Sequence, residues 1–267
     1  MDIKHTAVTI AALLLPSMLS AQAPLPTLYV TGDSTANNAD HRGWGDPLAA
    51  YFDAAKVNVV NRARAGRSSR TFYTEGLWDK VRDDLKPGDY VLIEFGHNDG
   101  GAPDKPPFRG SLPGLGEETL TVTSPKGEQE TVHTFGWYIR KFVADAKAKG
   151  ATPILLSPTV RNIWTGDTVE RAMGRFGQWS QEIAVSENIA FIDHANTIAD
   201  TYERLGPEKV KQYFPQDHTH TSAEGANLNA SPMKIHYLDL GAWPPRPSPL
   251  GRQSRLATFR GWSLGLR

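Results

Sequence analysis

The stretch 28-LYVTGDSTANN-38 joins a short apolar run to the small and polar residues Gly32, Asp33 and Ser34. An apolar run of this length, bounded by turn residues, predicts a buried β-strand. A serine that follows such a strand is most often a helix-capping residue. The second interpretation makes Ser34 a nucleophile. It requires a base, a group that orients the base, and hydrogen-bond donors for an oxyanion elsewhere in the chain.

The remaining sequence alternates short apolar runs with stretches of helical periodicity. Five runs are predicted as strands: Thr27–Thr31, Val57–Asn61, Tyr90–Phe95, Pro153–Ser157 and Ala190–Asp193. Four stretches are predicted as helices: Pro47–Ala55, Leu77–Leu85, Phe135–Ala146 and Arg171–Glu187. Strands that alternate with helices indicate an α/β fold in which helices cover both faces of a parallel sheet. Ligands bind at the carboxyl ends of the strands in such folds, and Ser34 lies at one of these ends.

A long insertion interrupts this alternation between Gly96 and Thr134. It is rich in Gly and Pro, and 124-SPKG-127 predicts the turn of a hairpin. An insertion of this length at the carboxyl end of a strand is more typical of a functional loop than of a linker.

The N-terminus has the pattern of an export signal. Lys4 precedes an apolar segment from Ala7 to Leu15, and 21-AQA-23 has the small residues of a cleavage site. Residues 1–23 are therefore predicted to be a secretory signal peptide, since this apolar segment is too short to span a bilayer. We expect a secreted or periplasmic protein, and the absence of cysteine agrees with a protein that does without disulfides. The alternative is an apolar N-terminal helix of the domain.

The overall net charge of zero conceals a difference between the domain and the C-terminus. Residues 231–267 hold six basic residues and one acidic residue, and the signal segment holds one of each sign. The 29 basic and 29 acidic residues of the chain therefore leave 22 basic and 27 acidic residues for positions 24–230, a net charge of −5. This balance argues against nucleic acid as a partner. We expect no membrane partner, because no later stretch is long enough to form a transmembrane helix. We also expect a monomer.

A base and its orienting carboxylate are available in 217-DHTH-220. Asp217 and His220 are three residues apart, which puts them on one side of a single turn. The carboxylate is then able to hold the Nδ1 proton of His220, and this leaves Nε2 to accept a proton from Ser34. His218 at the intervening position is expected to point away. The alternative interpretation is a polar loop with ordinary capping residues.

A metal site is a further alternative for the same segment. Aspartate and histidine side chains bind catalytic zinc or manganese. The spacing is not a recognised zinc motif, and this interpretation leaves the serine-containing stretch unexplained. The side chains that would serve as ligands are those of Asp217, His218, His220, His97 and Asp99.

Candidate oxyanion donors follow the second and third predicted strands. Gly66 in 62-RARAGRSS-69 offers an unobstructed backbone N–H, and Asn98 in 96-GHND-99 offers a side-chain amide. Each of them is an ordinary turn residue when considered alone. The specific signal is the set, because serine, glycine, asparagine and Asp-x-x-His occur in order at successive strand ends.

In these four blocks the chain resembles the SGNH, or GDSL, hydrolase superfamily. It is similar in particular to the rhamnogalacturonan acetylesterases of carbohydrate esterase family 12. The resemblance covers roughly residues 27–230, and the G-x-S-x-G motif of the α/β-hydrolases is absent. The phrases that carry it are GDSTANN, GWGDPLAAYF, RARAGRSSRTF, GDYVLIEFGHNDGG and YFPQDHTHTSAEGA.

The resemblance implies a flavodoxin-like, three-layer α/β/α fold with a five-stranded parallel sheet, over a domain at residues 24–230. It implies Ser34 as the nucleophile, His220 as the base and Asp217 as the residue that orients the base. The implied oxyanion hole consists of the N–H groups of Ser34 and Gly66 and the side chain of Asn98. No cofactor is required. The implied substrate is an acetylated plant cell-wall polysaccharide, with rhamnogalacturonan I of pectin as the first expectation.

Several alternatives for the substrate and the function stay open. Trp164 either stacks on a sugar ring or packs its own loop. A cluster of arginines either meets galacturonate carboxylates or is a solvated basic loop. The alternative functions are a broad-specificity GDSL esterase or lipase, an acetylxylan-type deacetylase, and a non-catalytic glycan-binding module. The arginines of the cluster are Arg62, Arg64, Arg67 and Arg70.

The C-terminal residues 231–267 differ in composition from the domain. The segment 221-TSAE-224 predicts the start of a final helix. This pattern ends near Ala230, after which five prolines follow. The change predicts an irregular, basic tail that is foreign to the domain, for example after a change of reading frame; the alternative is a genuine disordered tail. We expect no regular structure on the core beyond residue 230, and therefore exposed apolar sheet surface and a less stable domain.

Overall fold

The structure, a computed structural model, describes residues 24–171 and 175–239. Short 3-10 helices occupy Ala39–His41 and Leu48–Tyr51. The strands are β1 (Thr27–Thr31), β2 (Asn58–Asn61), β3 (Tyr90–Ile93), β4 (Thr119–Thr123), β5 (Gln129–His133), β6 (Thr152–Leu156), β7 (Trp164–Thr165), β8 (Thr168–Val169) and β9 (Ala190–Ile192). The α-helices are α1 (Ser69–Thr74), α2 (Leu77–Asp84), α3 (Phe135–Ala148), α4 (Phe176–Ser186), α5 (His194–Leu205), α6 (Pro207–Lys211) and α7 (Ala223–Asp239).

The five predicted strands form one sheet in the order β2-β1-β3-β6-β9. All four pairings are parallel, and Leu28 of β1 lies opposite Val59 of β2 and Tyr90 of β3. The predicted three-layer α/β/α fold is confirmed, with each strand end within two residues of its expected position. Because the strands are parallel, the turns that follow them share one edge of the sheet.

Each central strand contributes side chains to two apolar cores. Val91 of β3 faces a core that contains Trp78 of α2 and Phe142 of α3. The next residue, Leu92, faces the opposite core, which contains Met233 of α7. Side chains alternate between the two faces of a strand, so a strand that is buried on both faces reads as a continuous apolar run.

The predicted helix Pro47–Ala55 is wrong for most of its length. Only the 3-10 helix Leu48–Tyr51 forms, because the backbone of Phe52 is extended. The side chain of Asp53 then accepts a hydrogen bond from the N–H of Ala55 at 3.0 Å. An aspartate that bonds to the backbone two residues further along forms a turn, which competes with the helix.

The predicted helix Arg171–Glu187 begins later than expected. Helix α4 starts at Phe176, and residues 172–174 lie outside the described part of the chain. Arg171 follows a small hairpin formed by β7 and β8, and its guanidinium forms ion pairs with Asp200 and Glu203 of α5. These ion pairs hold residue 171 at α5 rather than in a helix with α4.

The insertion between β3 and α3 forms the predicted hairpin. Strands β4 and β5 pair in antiparallel fashion around the expected turn. The guanidinium of Arg70, in α1, is buried and donates two hydrogen bonds to the carboxylate of Glu130 in β5, at 2.7 and 2.8 Å. A planar guanidinium that binds a carboxylate in this way restricts both partners. The insertion is therefore fixed to the helix that follows β2.

The final helix extends beyond the end that the sequence predicted. Its start agrees with the prediction, since the hydroxyl of Ser222 accepts a hydrogen bond from the N–H of Gly225. It ends at Asp239, so the expected loss of structure near residue 230 is wrong. Pro232 has no N–H to donate to the carbonyl four residues before it. The hydroxyl of Ser231 donates to that carbonyl instead, at 2.8 Å.

Helix α7 also covers the apolar sheet surface that was expected to be exposed. Met233 is fully buried and lies in one core with Ala230 and Leu92. Residues 1–23 and 240–267 lie outside the described part of the chain, so the signal peptide and the origin of the tail stay predictions. None of the helices in the described residues combines the length and the hydropathy of a membrane-spanning segment.

Met233→Ala is expected to lower the free energy of unfolding by about 2–5 kcal/mol, because it removes buried apolar contacts and leaves a cavity. Urea unfolding followed by circular dichroism measures the change. Val185→Ala is the matched control, since Val185 is 77% exposed and its truncation should change stability by less than about 0.5 kcal/mol. Equal effects of the two substitutions would contradict the packing of α7 on the sheet.

Candidate active site

Ser34 lies in a tight turn directly after β1. The backbone carbonyl of Asp33 accepts hydrogen bonds from the N–H groups of Ala36 and Asn37, at 3.2 and 3.0 Å. The carboxylate of Asp33 accepts a further bond from the N–H of Thr35 at 2.8 Å. These bonds fix the backbone on both sides of Ser34, which is 8% exposed.

The turn after β1 is held against the carboxyl ends of β3 and β6. A Cβ atom at Gly32 would lie 2.8 Å from the backbone carbonyl of Glu94, so only glycine allows this approach of β1 to β3. The carboxylate of Glu94 accepts hydrogen bonds from the hydroxyl of Thr35 at 3.0 Å and from the N–H of Thr159 at 3.2 Å. It therefore joins the turns that follow β1 and β6.

His220 connects Ser34 to Asp217. Its Nε2 is 2.9 Å from Oγ of Ser34, and its Nδ1 is 2.7 Å from Oδ2 of Asp217. The other carboxylate oxygen accepts hydrogen bonds from the N–H groups of Thr219 and His220, at 2.6 and 2.7 Å. These bonds form the single turn that the three-residue spacing predicted. The structure thus brings together the three side chains that were expected to act together.

The environment of Asp217 keeps its carboxylate charged. Partial burial raises its pKa, but the hydrogen bonds from His220 and Thr219 outweigh this effect and hold the pKa at about 2. The carboxylate is therefore ionised at neutral pH. An ionised carboxylate at Nδ1 favours the tautomer of His220 whose Nε2 carries a free lone pair, and this atom faces Ser34.

The predicted oxyanion donors lie on the turns that follow β1, β2 and β3, which are neighbours in the sheet. Gly66 has a φ angle of 79°, in the left-handed region that favours glycine. The side-chain amide of Asn98 donates a hydrogen bond to the carbonyl of Arg67 at 2.9 Å, and its second N–H is left for another acceptor. Within the described residues, no acceptor is bonded to the backbone N–H of Ser34 or of Gly66.

His97 is bonded to the turn after β6 rather than to Ser34, His220 or Asp217. Its Nε2 is 3.1 Å from the hydroxyl of Thr159. Burial lowers the pKa of His97, against the opposing effect of the Asp33 carboxylate, and the positive charge of Arg161 lowers it further. The imidazole is therefore neutral at pH 7.

Asp99 and His218, two further residues of the metal-site hypothesis, also have contacts other than a shared metal site. Asp99 is buried, and its carboxylate accepts hydrogen bonds from the N–H and hydroxyl of Ser69 and from the hydroxyl of Ser111. His218 is exposed, and its backbone carbonyl accepts a bond from the N–H of Asn162 at 2.8 Å. Across residues 24–171 and 175–239, no group of three or more histidine, aspartate or glutamate side chains is arranged to hold a metal ion.

The arginine cluster is mostly engaged within the protein. Arg64 is exposed, but the other three members have acidic partners at 2.5 to 2.9 Å. The pairs are Arg62 with Asp84, Arg67 with Glu75, and Arg70 with Glu130. Neither interpretation of the cluster, carboxylate binding or a solvated basic loop, describes all four arginines, because three of them are paired with acidic side chains of the fold.

Trp164 packs its own loop. Its indole N–H donates to the side-chain oxygen of Asn162 at 2.7 Å. Its ring lies against the apolar cluster that contains Val160 and Tyr202. Of the two interpretations of Trp164, the structure favours packing over sugar stacking.

A serine hydroxyl bonded to an imidazole that is bonded to a carboxylate is the arrangement of the serine hydrolases. The sequence profile of the GDSL-like Lipase/Acylhydrolase family matches residues 30–228. The chain therefore belongs to this family, and it is a carboxylic ester hydrolase.

Two curated relatives are similar over most of their length. A rhamnogalacturonan acetylesterase of Emericella nidulans is 39% identical over 217 residues, which are 81% of this chain and 84% of that protein. A probable rhamnogalacturonan acetylesterase of Bacillus subtilis is 28% identical over 223 residues, which are 80% of this chain and 93% of that protein. The resemblance that the four sequence blocks indicated is thus confirmed.

The solved structures that are similar to this chain share its fold. An acetylxylan esterase from Geobacillus stearothermophilus superimposes with a TM-score of 0.56 at 19% identity, over 79% of this chain and 94% of that chain. A Bacillus subtilis protein superimposes with a TM-score of 0.63 at 24% identity, over 82% of this chain and 58% of that chain. At these identities the likeness establishes the architecture alone.

The buried Asp99 predicts a specific dependence of stability on pH. Burial raises its pKa to about 7, against the opposing hydrogen bonds from Ser69 and Ser111, whereas an unfolded aspartate titrates near 3.9. Between these values the folded protein binds a proton that the unfolded chain releases, so stability falls as pH rises from about 4 to about 7. Asp99→Asn is expected to remove this slope, which is at most about 1.4 kcal/mol per pH unit.

Urea unfolding of wild type and Asp99→Asn at about pH 5 and about pH 8 measures the slope. The variant should gain stability relative to wild type at the higher pH. Asp40→Asn is the matched control, since the side chain of Asp40 is 87% exposed. The same pH dependence in wild type and Asp99→Asn would show that Asp99 is ionised in the folded protein at both pH values.

Proposed function

We propose that this chain is a secreted serine esterase that removes O-acetyl groups from plant cell-wall polysaccharide, with rhamnogalacturonan I of pectin as its substrate. The observation that carries the proposal is the hydrogen-bonded series Ser34–His220–Asp217 at the carboxyl edge of the sheet. The 39% identity to a rhamnogalacturonan acetylesterase supports a carbohydrate O-acetylesterase. The signal-like pattern of residues 1–23 supports export.

In the first step, Oγ of Ser34 attacks the carbonyl carbon of the acetyl group. Nε2 of His220, 2.9 Å from this oxygen, accepts the hydroxyl proton. Asp217 holds the opposite N–H of the ring, so the proton is taken up at Nε2 and the imidazolium keeps its partner. His220 then gives the proton to the departing sugar oxygen, which leaves an acetyl group on Ser34.

In the second step, water replaces the sugar and attacks the acetyl group. His220 removes a proton from this water and returns it to Oγ of Ser34 as the acyl bond breaks, so that acetate is released. Each step passes through a tetrahedral oxyanion, which the N–H groups of Ser34 and Gly66 and the amide of Asn98 stabilise. The bond from Asn98 to Arg67 holds this amide in position before the substrate arrives.

Acetate release from three substrates tests the proposed function: acetylated rhamnogalacturonan fragments, acetylated xylan fragments and p-nitrophenyl acetate. We expect the highest kcat/KM on the rhamnogalacturonan fragments. Ser34→Ala should abolish release from all three and keep the fold, because Ser34 lies in a turn outside the apolar cores; circular dichroism checks the fold.

Other outcomes of this experiment identify the alternatives. A higher kcat/KM on xylan fragments would indicate an acetylxylan-type deacetylase. Similar values on all three substrates would indicate a broad-specificity esterase. No release from any of them by the wild type would leave a glycan-binding module.

Asn98→Ala is expected to lower kcat by roughly 100- to 1,000-fold, the loss that follows removal of one oxyanion donor. KM should change little, because this donor acts mainly on the charge that develops during the reaction. Steady-state kinetics with p-nitrophenyl acetate separates the two constants. Asn58→Ala, an exposed asparagine at the opposite end of β2 from the site, is the matched control. A change confined to KM would assign Asn98 to substrate binding instead.

A further inference from the structure

Two half-buried arginines outside the predicted cluster lack an acidic partner in the described part of the chain. Arg109 and Arg161 are half-buried, and within the described residues neither forms an ion pair. The arginines that follow β2 differ, because most of them are neutralised by carboxylates of the fold. A half-buried, unpaired guanidinium loses hydration without gaining a counter-charge. Binding an anion from outside the chain would supply that counter-charge.

Arg109 is fixed beside the predicted oxyanion hole. Its Nη1 donates to the backbone carbonyl of Gly66 at 3.3 Å. The next residue, Gly110, accepts a hydrogen bond from the buried guanidinium of Arg70 at 2.8 Å, which holds the backbone of this segment. A guanidinium has five N–H donors, and this contact with Gly66 engages one of them.

Arg161 is fixed on the other side of the site, in the turn after β6. The N–H of Thr159 donates to the carboxylate of Glu94 at 3.2 Å. The N–H of Asn162 donates to the carbonyl of His218 at 2.8 Å, in the loop that carries the proposed base. The Nε atom of Arg161 is buried and has no hydrogen-bond partner in the described part of the chain. This Nε is closed to a ligand, so the two Nη groups, which are not among the buried atoms, are the donors that an anion would reach.

The strand order places the contacts of these two arginines on different sides of Ser34. The turn with Gly66 follows β2, Ser34 follows β1 and Arg161 follows β6, in a sheet of order β2-β1-β3-β6-β9. The ends of β2 and β6 are three strand spacings apart, about 14 Å. The turns that carry the two contacts therefore lie on opposite sides of the strand that precedes Ser34.

We propose that Arg109 and Arg161 bind two uronate carboxylates of the substrate, one on each side of the sugar that presents its acetyl group to Ser34. This subsite assignment rests on the proposed function and specifies how the polysaccharide is selected. A guanidinium matches the two oxygens of a carboxylate, which gives direction as well as charge. The domain at residues 24–230 has a net charge of −5 and does not attract a polyanion as a whole, so local unpaired arginines are needed.

The test compares two inhibitors of p-nitrophenyl acetate hydrolysis. One is deacetylated rhamnogalacturonan fragments; the other is the same fragments with their uronate carboxyl groups reduced to alcohols. The ratio of the inhibition constant of the reduced fragments to that of the acidic fragments should be well above one for wild type. Arg109→Gln and Arg161→Gln should each lower this ratio by about 10-fold, the effect of one charge-assisted hydrogen bond at a partly exposed position.

Lysine variants test whether the planar shape of the guanidinium matters in addition to its charge. Arg109→Lys and Arg161→Lys keep the charge without the planar fork, so each should lower the ratio less than its glutamine counterpart. Arg204→Gln is the matched control and should leave the ratio unchanged, because Arg204 is an exposed residue in the last turn of α5, away from the catalytic edge. Circular dichroism confirms that each variant is folded.

Two results would overturn the assignment. A wild-type ratio near one would show that the carboxylates are not recognised, and wild-type ratios in both glutamine variants would show that other residues recognise them. Failure of the proposed function gives a different result, namely no acetate release from acetylated rhamnogalacturonan fragments by the wild type.

Discussion

The buried carboxylate of Glu94 is the interaction on which the catalytic edge depends. Glu94 is 1% exposed, and a buried carboxylate is tolerated only when it is hydrogen-bonded or paired. One oxygen accepts hydrogen bonds from Thr35 after β1 and from Thr159 after β6. The other oxygen lies 3.6 Å from Nδ1 of His194, at the start of α5. A single side chain directly after β3 therefore fixes the turns that follow β1 and β6 to each other, and it also lies against the start of α5.

Hydrogen bonds of His194 and Tyr202 connect helix α5 to helix α7. Nε2 of His194 is 2.8 Å from the backbone carbonyl of Asn229, and the side-chain oxygen of Asn229 accepts a hydrogen bond from Tyr202 at 2.8 Å. Helix α7 begins shortly after the loop that carries Asp217 and His220. Because α7 is held both by this polar series and by the apolar core, it anchors the C-terminal end of that loop.

The sequence predicts the features that local patterns determine. Apolar runs located all five central strands, and the three-residue spacing correctly predicted the contact between Asp217 and His220. Helices α1, α5 and α6 and the β7–β8 hairpin were not predicted. Glu94 was missed because a carboxylate after an apolar run resembles a strand boundary; the available signal was one charge inside 91-VLIEFG-96. Pro232 suggested a helix end, but the hydroxyl of Ser231 and the burial of the next turn outweigh the missing N–H. Composition also did not reveal which arginines are paired, because ion pairing depends on acidic residues that are distant in the sequence.

Under the proposed function, the partial exposure of Asp217 and His220 suits a polymeric substrate. The side chains of Asp217 and His220 are 42% and 31% exposed, so water screens the attraction between the carboxylate and a protonated imidazole. The protein compensates by geometry, since the carboxylate, two backbone N–H groups and the imidazole are held within one turn and need no movement to stay aligned. Under the proposed function, a polysaccharide that lies across this edge excludes the remaining water and strengthens the same interactions during the reaction. Under the same proposal, a small ester would leave this water in place and would gain less from these interactions than a long glycan.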